Sequence, residues 1–335
     1  MIDIKAGMEA IAADQAAPPE TRGVASALAK QVAPTEIVFR PEKHTPDAVL
    51  PVDHEFAALY ADVTCEGAMV ATKSKVAIVG LARNIGGILP HSIKRIHEMA
   101  RHFADWRAIV VENDSTDNTK EVLTKWATDE PDHVIVELLV NGRPHLRGFE
   151  RERVVALAQY RNRCRELVRE HYPQADYVIV VDLDAWGGWS THGVINGIGW
   201  HERLPQAAVF GSTSLFKHPY SKIDGKNPWC HYDNWAYRWI GWEWRIGPWF
   251  TFWLPPPGAP PIRVNSVFGG LGIYKTAPYL ECEYSGDNGD VEHANFHRIM
   301  NDKGWHVYLN PAQRTVMTWL AEEQEPSDGG NHGND

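Results

Sequence analysis

The chain has 335 residues, 44% hydrophobic and 23% charged, which is enough apolar mass for a large globular core in one or two domains. Its 33 Lys and Arg against 43 Asp and Glu leave a formal charge of −10, which argues against a nucleic-acid partner because such proteins carry a basic face. No run of about 18 apolar residues suggests a membrane span, and Met1-Ile2-Asp3-Ile4-Lys5 lacks the basic-then-apolar pattern of a secretory signal. Cys65, Cys164, Cys230 and Cys282 show no CxxC spacing and read as reduced, mostly buried thiols, so a cytoplasmic protein is expected.

Residues 1–35 are Ala-rich, with Pro18-Pro19 and Pro34, and read as an N-terminal extension holding at most one short amphipathic helix. A catalytic domain is expected over 36–320, opened by a lead-in (36–74) with the apolar pieces Ile37-Val38-Phe39 and Phe56-Ala57-Ala58-Leu59-Tyr60. Strand and helix then alternate. Val76–Leu81 predicts a strand, followed after Gly86-Gly87 by Ile93, Ile96, Met99 and Phe103 at helical spacing. Ala108–Val111 predicts the second strand, and Val122, Leu123 and Trp126 the next helix. Val134–Leu139 is a third strand, 149–171 a long helix, and Tyr177–Val181 a fourth strand. Such alternation implies an α/β fold with a mostly parallel central sheet flanked by helices, and ligands at the carboxyl ends of its strands. From 185 to 265 the pattern changes: ten of the 14 Trp lie between Trp186 and Trp253, and the region reads as an irregular Trp-rich insert. Strand signals resume at Phe268–Tyr274 and Trp305–Leu309, and 321–335 reads as a disordered acidic tail.

Chemistry concentrates at four places. Asp182-Leu183-Asp184 closes the fourth strand with two carboxylates, costly in a core but apt at a ligand crevice, where hard oxygens suit Mn²⁺ or Mg²⁺ bridging phosphates. The turn after the second strand, Glu112-Asn113-Asp114-Ser115-Thr116-Asp117-Asn118-Thr119, supplies caps for the next helix, with Asn118 and Glu121 spaced as a capping pair. Capping leaves Glu112 unexplained; an acid there can accept from a base N–H or a ribose hydroxyl. In the Trp-rich stretch, Trp229, Asp233, Asn234 and Trp235 combine an aromatic face with hydroxyl-binding groups and are candidate acceptor or sugar contacts, although most of the tryptophans belong to a core. Lastly, Gly269-Gly270 allows close backbone approach to a ligand or simply bends a strand, and Asp290-Val291-Glu292-His293 opens a helix. Glu292 there stabilises a helix start or serves as a base. Asp290, His293 and His297 share one helical face and could hold a transition metal, but a fourth ligand is not evident.

The order of these motifs resembles the GT-A fold glycosyltransferases that use nucleotide sugars, over residues 75 to 312. Many carry V-D-D-G-S-T-D-G-T, A-R-N and D-x-D strings; here stand Val111–Thr119, Tyr160-Arg161-Asn162 and Asp182–Asp184. The details are most similar to the fungal capsule-associated mannosyltransferases and their bacterial relatives. The resemblance implies that Glu112 binds base or ribose, that Arg161 and Asn162, with Arg83, Asp114 and Asp182, hold the nucleotide, and that Asp182 and Asp184 bind metal and diphosphate. It further implies that Gly269 and Gly270, with His293, line the donor sugar and acceptor, and that Glu292, or else Asp290, is the base of an inverting transfer to a glycan or other hydroxyl acceptor. The family often places a third metal ligand, a His, in the window occupied here by Arg314–Trp319, which has none; His306 comes too early. A nucleotidyltransferase, for which Ala82–Gly87 is a faint Gly-rich first loop, and a non-catalytic carbohydrate-binding protein are the alternatives.

Overall fold

The computed structural model describes residues 45–146, 150–217, 228–242, 251–287 and 289–318. The expected N-terminal extension and acidic tail lie outside these residues. The first half of the domain is built as its apolar runs dictate. Strands β1 (Lys75–Ala82), β2 (Asp105–Asn113), β3 (Val134–Leu139) and β4 (Tyr177–Val181) lie parallel, in the spatial order β3-β2-β1-β4. All five residues of β4 are buried, as a strand covered on both faces requires. Helices α2 (Leu89–Ala100), α3 (Thr119–Asp129) and α4 (Arg151–His171) make the crossovers; α1 (Ala57–Ala71) precedes β1. From α4, Ala156, Cys164, Leu167 and Val168 join Val79, Val111, Val178 and Val180 in the core.

Beyond β4 the sheet continues through β9 (Leu271–Lys275), antiparallel to both its neighbours, then β6 (Ala207–Lys217) and β10 (His306–Thr318), which are parallel to each other. Two residues, β5 (Gly188–Trp189), close the far side, while β7 (Trp229–His231) pairs with β6 and β8 (Ile262–Val264) with β10. The architecture is thus the α/β one that was expected, with a mostly parallel central sheet flanked by helices. Because β1, β2, β4, β6 and β10 all run the same way, their carboxyl ends and the start of β9 share one edge of the sheet.

The expectation of irregular structure from 185 onward needs correction. Helix α5 (Thr191–Arg203) and the eleven-residue β6 occupy the first part of that region. Three glycines make α5 look like a loop, but they are there for packing. A Cβ on Gly67 of α1 would lie 2.0 Å from the Ile195 carbonyl oxygen, and one on Gly199 would lie 2.2 Å from that of Val63. The two helices therefore cross backbone to backbone. Strand β10 also runs past the expected end at Leu309, through a register shift between Asn310 and Arg314. Its Arg314 is buried; it donates to Asp47 Oδ1 at 2.6 Å and to the Leu50 carbonyl, drawing residues 45–50 onto the strand.

Candidate active site

The carboxyl ends of β1 and β2 carry two loops that are hydrogen-bonded into one platform. Asn84, at φ 52°, donates its N–H to Ser115 Oγ (2.9 Å), and its side-chain oxygen accepts from Thr116 N–H (2.8 Å). Ile85 N–H donates to Thr119 Oγ1 and Gly86 N–H to Asp117 Oδ2, both at 2.9 Å. Asp117 also caps α3 by accepting from Thr119 N–H at 3.0 Å. The expected capping pair is therefore displaced by one residue: Asn118 is the N-cap but makes no side-chain cap bond.

Glu112, the penultimate residue of β2, has 0% exposure. Its Oε1 accepts from Ser115 N–H at 2.7 Å, so capping explains half of this carboxylate after all. Its Oε2 is buried without a hydrogen-bond partner, a costly condition for an acceptor. Asp114, at φ 53°, accepts from the N–H groups of Asn141 and Gly142 (both 2.9 Å) and Arg143 (3.3 Å). Against desolvation, which raises it, these bonds together hold its carboxyl below the usual range. Arg83 Nη2 donates to the Arg143 carbonyl at 2.7 Å, and Arg143 reaches over the Tyr160 ring at 5.7 Å. Thus Arg83, Glu112 and Asp114 share one rim. Asn162 does not join them: its amide exchanges two 2.9 Å bonds with the Tyr284 backbone and clips α4 to that loop.

The loop bearing Asp182 and Asp184 is fixed from below and from the side. Ser92 Oγ of α2 donates to the Leu183 carbonyl at 2.6 Å, and Arg95 donates to the carbonyls of Ala185 (3.0 Å) and Trp186 (2.9 Å). Leu183 fills the space over Gly80, where a Cβ would lie 2.8 Å from its side chain. Gly187 N–H donates to the Val316 carbonyl of β10 at 2.9 Å. With its backbone so held, the loop presents Asp184 to solvent and leaves Asp182 partly exposed. Burial pushes the Asp182 carboxyl up to about 7 against the pull of Arg161, and Asp184 and Asp233 push it the same way. Tyr232 is raised too, by burial and then by Asp184, Asp233 and Asp182, with Arg153 opposing. Asp184 and Asp233 thus act on Asp182, and all three act on Tyr232, with Arg161 and Arg153 opposing; neither Tyr232 nor Arg153 was legible as a site residue.

Gly269-Gly270 joins this cluster through its backbone. The two residues adopt φ +65° and +76°, and a Cβ on Gly269 would lie 2.0 Å from the Ser212 carbonyl oxygen. Gly269 N–H donates to Asp233 Oδ2 at 3.0 Å, and the Gly270 carbonyl accepts from Asp182 N–H at 2.8 Å. Asp233 Oδ1 accepts from Ala236 N–H at 3.1 Å, so both of its oxygens brace backbone; burial nonetheless raises its carboxyl. Asn234 donates to Thr251 Oγ1 at 2.6 Å, Trp229 pairs within β7 under Lys217, and Trp235 packs against the core. Of the sugar-side candidates, Asp233, Gly269 and Gly270 adjoin Asp182.

After the short helix α6 (Thr276–Glu281), the start of helix α7 (Glu292–Asp302) is reached through Arg161. This guanidinium, 8% exposed, donates from Nε to Glu292 Oε1 at 3.1 Å and from Nη2 to Asp182 Oδ1 at 3.4 Å. Glu292 is 5% exposed. Asp290 is instead held by Arg238 and by Arg298, at 3.4 Å from the latter. His293 stacks on Phe268 with ring centroids 3.8 Å apart, and burial and Arg161 hold it well below its usual range. His297 is bonded at both nitrogens, to Ser266 Oγ (2.8 Å) and Tyr274 OH (2.9 Å). The alternative of a transition metal on Asp290, His293 and His297 fails for this reason. His306 opens β10 and so lies at the opposite edge of the sheet, which removes it as a third ligand.

Among the described residues, no three His, Cys, Asp or Glu side chains converge closely enough to hold an ion by themselves. The chemistry of Asp182 and Asp184 still fits a hard divalent cation. Their oxygens stand in an excess of negative charge, and phosphate oxygens and water commonly complete such a site.

No protein-family model matches the chain, and no curated protein matches it. Solved structures do. A mannosyltransferase, PcManGT from Pyrobaculum calidifontis, in complex with GDP-Man and Mn²⁺, is 13% identical over 82% of this chain and 68% of its own, with a TM-score of 0.44. GalNAc-T7 with UDP, GalNAc and Mn²⁺ is 13% identical over 87% of this chain and 57% of its own (TM-score 0.49). Residues 1–349 of S. aureus TarS are 12% identical over 74% and 60% (TM-score 0.39). The chain thus spans roughly three fifths to two thirds of the chains it is similar to. Among the described residues no helix is long and apolar enough to cross a membrane.

Proposed function

We propose that the protein is a glycosyltransferase that moves a sugar from a nucleoside diphosphate sugar to a hydroxyl acceptor, a glycan being the acceptor of choice, with inversion. The observation that carries this reading is the Asp182, Asp184 and Asp233 cluster at the carboxyl edge of a mostly parallel sheet, beside a platform that leaves Glu112 Oε2 buried and unpartnered. A parallel sheet binds ligands at that edge. The unpartnered Glu112 Oε2 supports a contact to a nucleoside N–H or hydroxyl, and Arg83 and Arg143 border the same rim.

Mn²⁺ or Mg²⁺ bound by Asp182 and Asp184 would neutralise charge on the diphosphate leaving group. The protein's own residues do the rest. Glu292 takes the proton of the acceptor hydroxyl as that oxygen attacks the anomeric carbon; the bond from that carbon to the diphosphate breaks, and nucleoside diphosphate leaves. Glu292 is favoured over Asp290 because one guanidinium links it to Asp182, whereas Asp290 is taken up by Arg238 and Arg298. Asp233 and the Gly269-Gly270 turn form the floor on which sugar and acceptor meet. A thermal-shift panel of nucleotide sugars with and without Mn²⁺, followed by product analysis, tests this reading. Sugar transfer or release supports it. Pyrophosphate release would make the protein a nucleotidyltransferase, and glycan binding without turnover would make it a carbohydrate-binding protein.

A further inference from the structure

Arg161 stands at the middle of α4 and bridges two acids from distant segments, Asp182 after β4 and Glu292 at the start of α7. Its setting is enclosed. The guanidinium lies 5.1 Å over the Phe268 ring, and Phe268 is backed in turn by the stacked ring of His293. A guanidinium keeps its proton in a protein, so this positive charge is permanent. Around it stand Asp182 and Glu292 in direct contact, with Asp184 and Asp233 acting on Asp182 from the crevice side. Of the neighbouring cations, Arg238 is bound to Asp290 and also acts on Asp233, and Arg153 acts on Tyr232. Arg161 is thus the fixed positive charge in contact with Asp182 and Glu292, and its contact to Asp182 is the longer of its two ion pairs.

We propose that Arg161 is the resident counter-cation of this cluster: it neutralises Asp182 and Glu292 together before any divalent ion arrives, and its charge sets how tightly such an ion binds at Asp182 and Asp184. It is a positioning residue rather than a nucleotide contact. The inference rests on reading Asp182 and Asp184 as cation ligands. A permanent unit charge bonded to one ligand repels an incoming divalent ion, and removing it strengthens cation binding by on the order of tenfold. Glu292 acts with the opposite sign, as a nearby anion whose charge favours the cation.

The test is a calorimetric titration with Mn²⁺ alone, without nucleotide, on the wild type, Arg161→Lys, Arg161→Gln, Glu292→Gln and the double variant Arg161→Gln/Glu292→Gln, with melting curves to establish folding. Arg161→Lys keeps the charge and should bind as the wild type does. Arg161→Gln should bind about tenfold tighter, Glu292→Gln weaker, and the double variant close to wild type. Should Arg161→Gln not fold, the double variant against Glu292→Gln isolates the same charge and should bind about tenfold tighter. Equal or weaker binding on loss of Arg161, with wild-type binding intact, overturns the role of Arg161 and leaves the cation site standing. No Mn²⁺ binding by the wild type removes the cation site itself, and this proposal with it.

Discussion

The two sides of the crevice are built by different means. On the β1–β2 side, backbone N–H groups and short side chains knit the loops together, as in the bonds of Asn84, Ser115, Asp117 and Thr119, and the charged Arg83, Glu112 and Asp114 bond backbone groups. On the β4–β9–α7 side, buried ions hold the structure: Arg161 between Asp182 and Glu292, and Arg238 and Arg298 on Asp290. The contrast teaches where each kind of lesion should act. Changes on the first side should alter binding of the nucleotide and leave the chemical step alone. Changes on the second should alter the chemical step, cation binding and stability together, because a buried ion that loses its partner is costly.

The largest expected effect is on the charged side. Glu292→Gln keeps shape and hydrogen bonding but cannot take a proton, so at saturating Mn²⁺ transfer should fall by about 10²–10⁴-fold with donor affinity nearly unchanged. Steady-state and donor-binding measurements on the one variant check both halves. If Glu292→Gln is active and Asp290→Asn is not, the base is Asp290.

The next effect tests the packing behind both sides. Gly199→Ala puts a methyl 2.2 Å from the Val63 carbonyl oxygen and should destabilise the protein by about 1–3 kcal/mol in a denaturant titration. Full stability would mean that α1 and α5 part easily and that their glycines have no packing role.

On the hydrogen-bonded side, Glu112→Ala should weaken nucleoside diphosphate and nucleotide sugar alike, by about 1–3 kcal/mol, through loss of one charged hydrogen bond. A fall in turnover at unchanged nucleotide affinity would move Glu112 across to the chemical side of the comparison.

A further effect concerns acid stability. Burial holds His201 and His297 down to about 3 and His231 to about 4. The unfolded chain protonates these rings near 6.5, so below that pH it binds more protons than the folded one. Stability should therefore be fully present above pH 6.5 and fall as pH drops toward 4, by at most about 1.4 kcal/mol per pH unit for each ring. Urea titrations at pH 7, 6 and 5 check the slope, and a flat profile would show that these histidines are not buried neutral in solution.

The same contrast explains what could be read in the sequence. Strands β1 to β4 are legible because a parallel strand covered on both faces must be a nearly continuous apolar run, and Asp182-Leu183-Asp184 stands out because it ends one. Strand β6 is hidden by Ser212, Thr213 and Ser214, which hydropathy reads as polar although all three are fully buried; Ser212 Oγ bonds the Leu271 carbonyl, and Ser214 Oγ meets His231 Nδ1. The last part of β10 is hidden likewise by Gln313 and Arg314. Helix α5 is hidden by glycines whose reason lies in another helix. Position along the chain offered Glu112, Asp182 and Glu292 as candidates, and the resemblance added Arg161. Neither could show that Arg161 would meet Glu292 rather than a ligand, because that pairing spans 131 residues. Nor could either show that the Asn162 amide closes on a backbone.

The central claim is that Asp182 and Asp184 bring a divalent cation and a nucleoside diphosphate together at this edge of the sheet. The direct test is the melting temperature of the wild type and of Asp184→Ala with Mn²⁺, with a nucleoside diphosphate, and with both. Asp184 is exposed, so its loss should leave the fold intact. The wild type should be stabilised by the pair beyond the sum of each alone, and Asp184→Ala should lose that excess while melting normally without ligands. Undiminished synergy in Asp184→Ala would contradict the account.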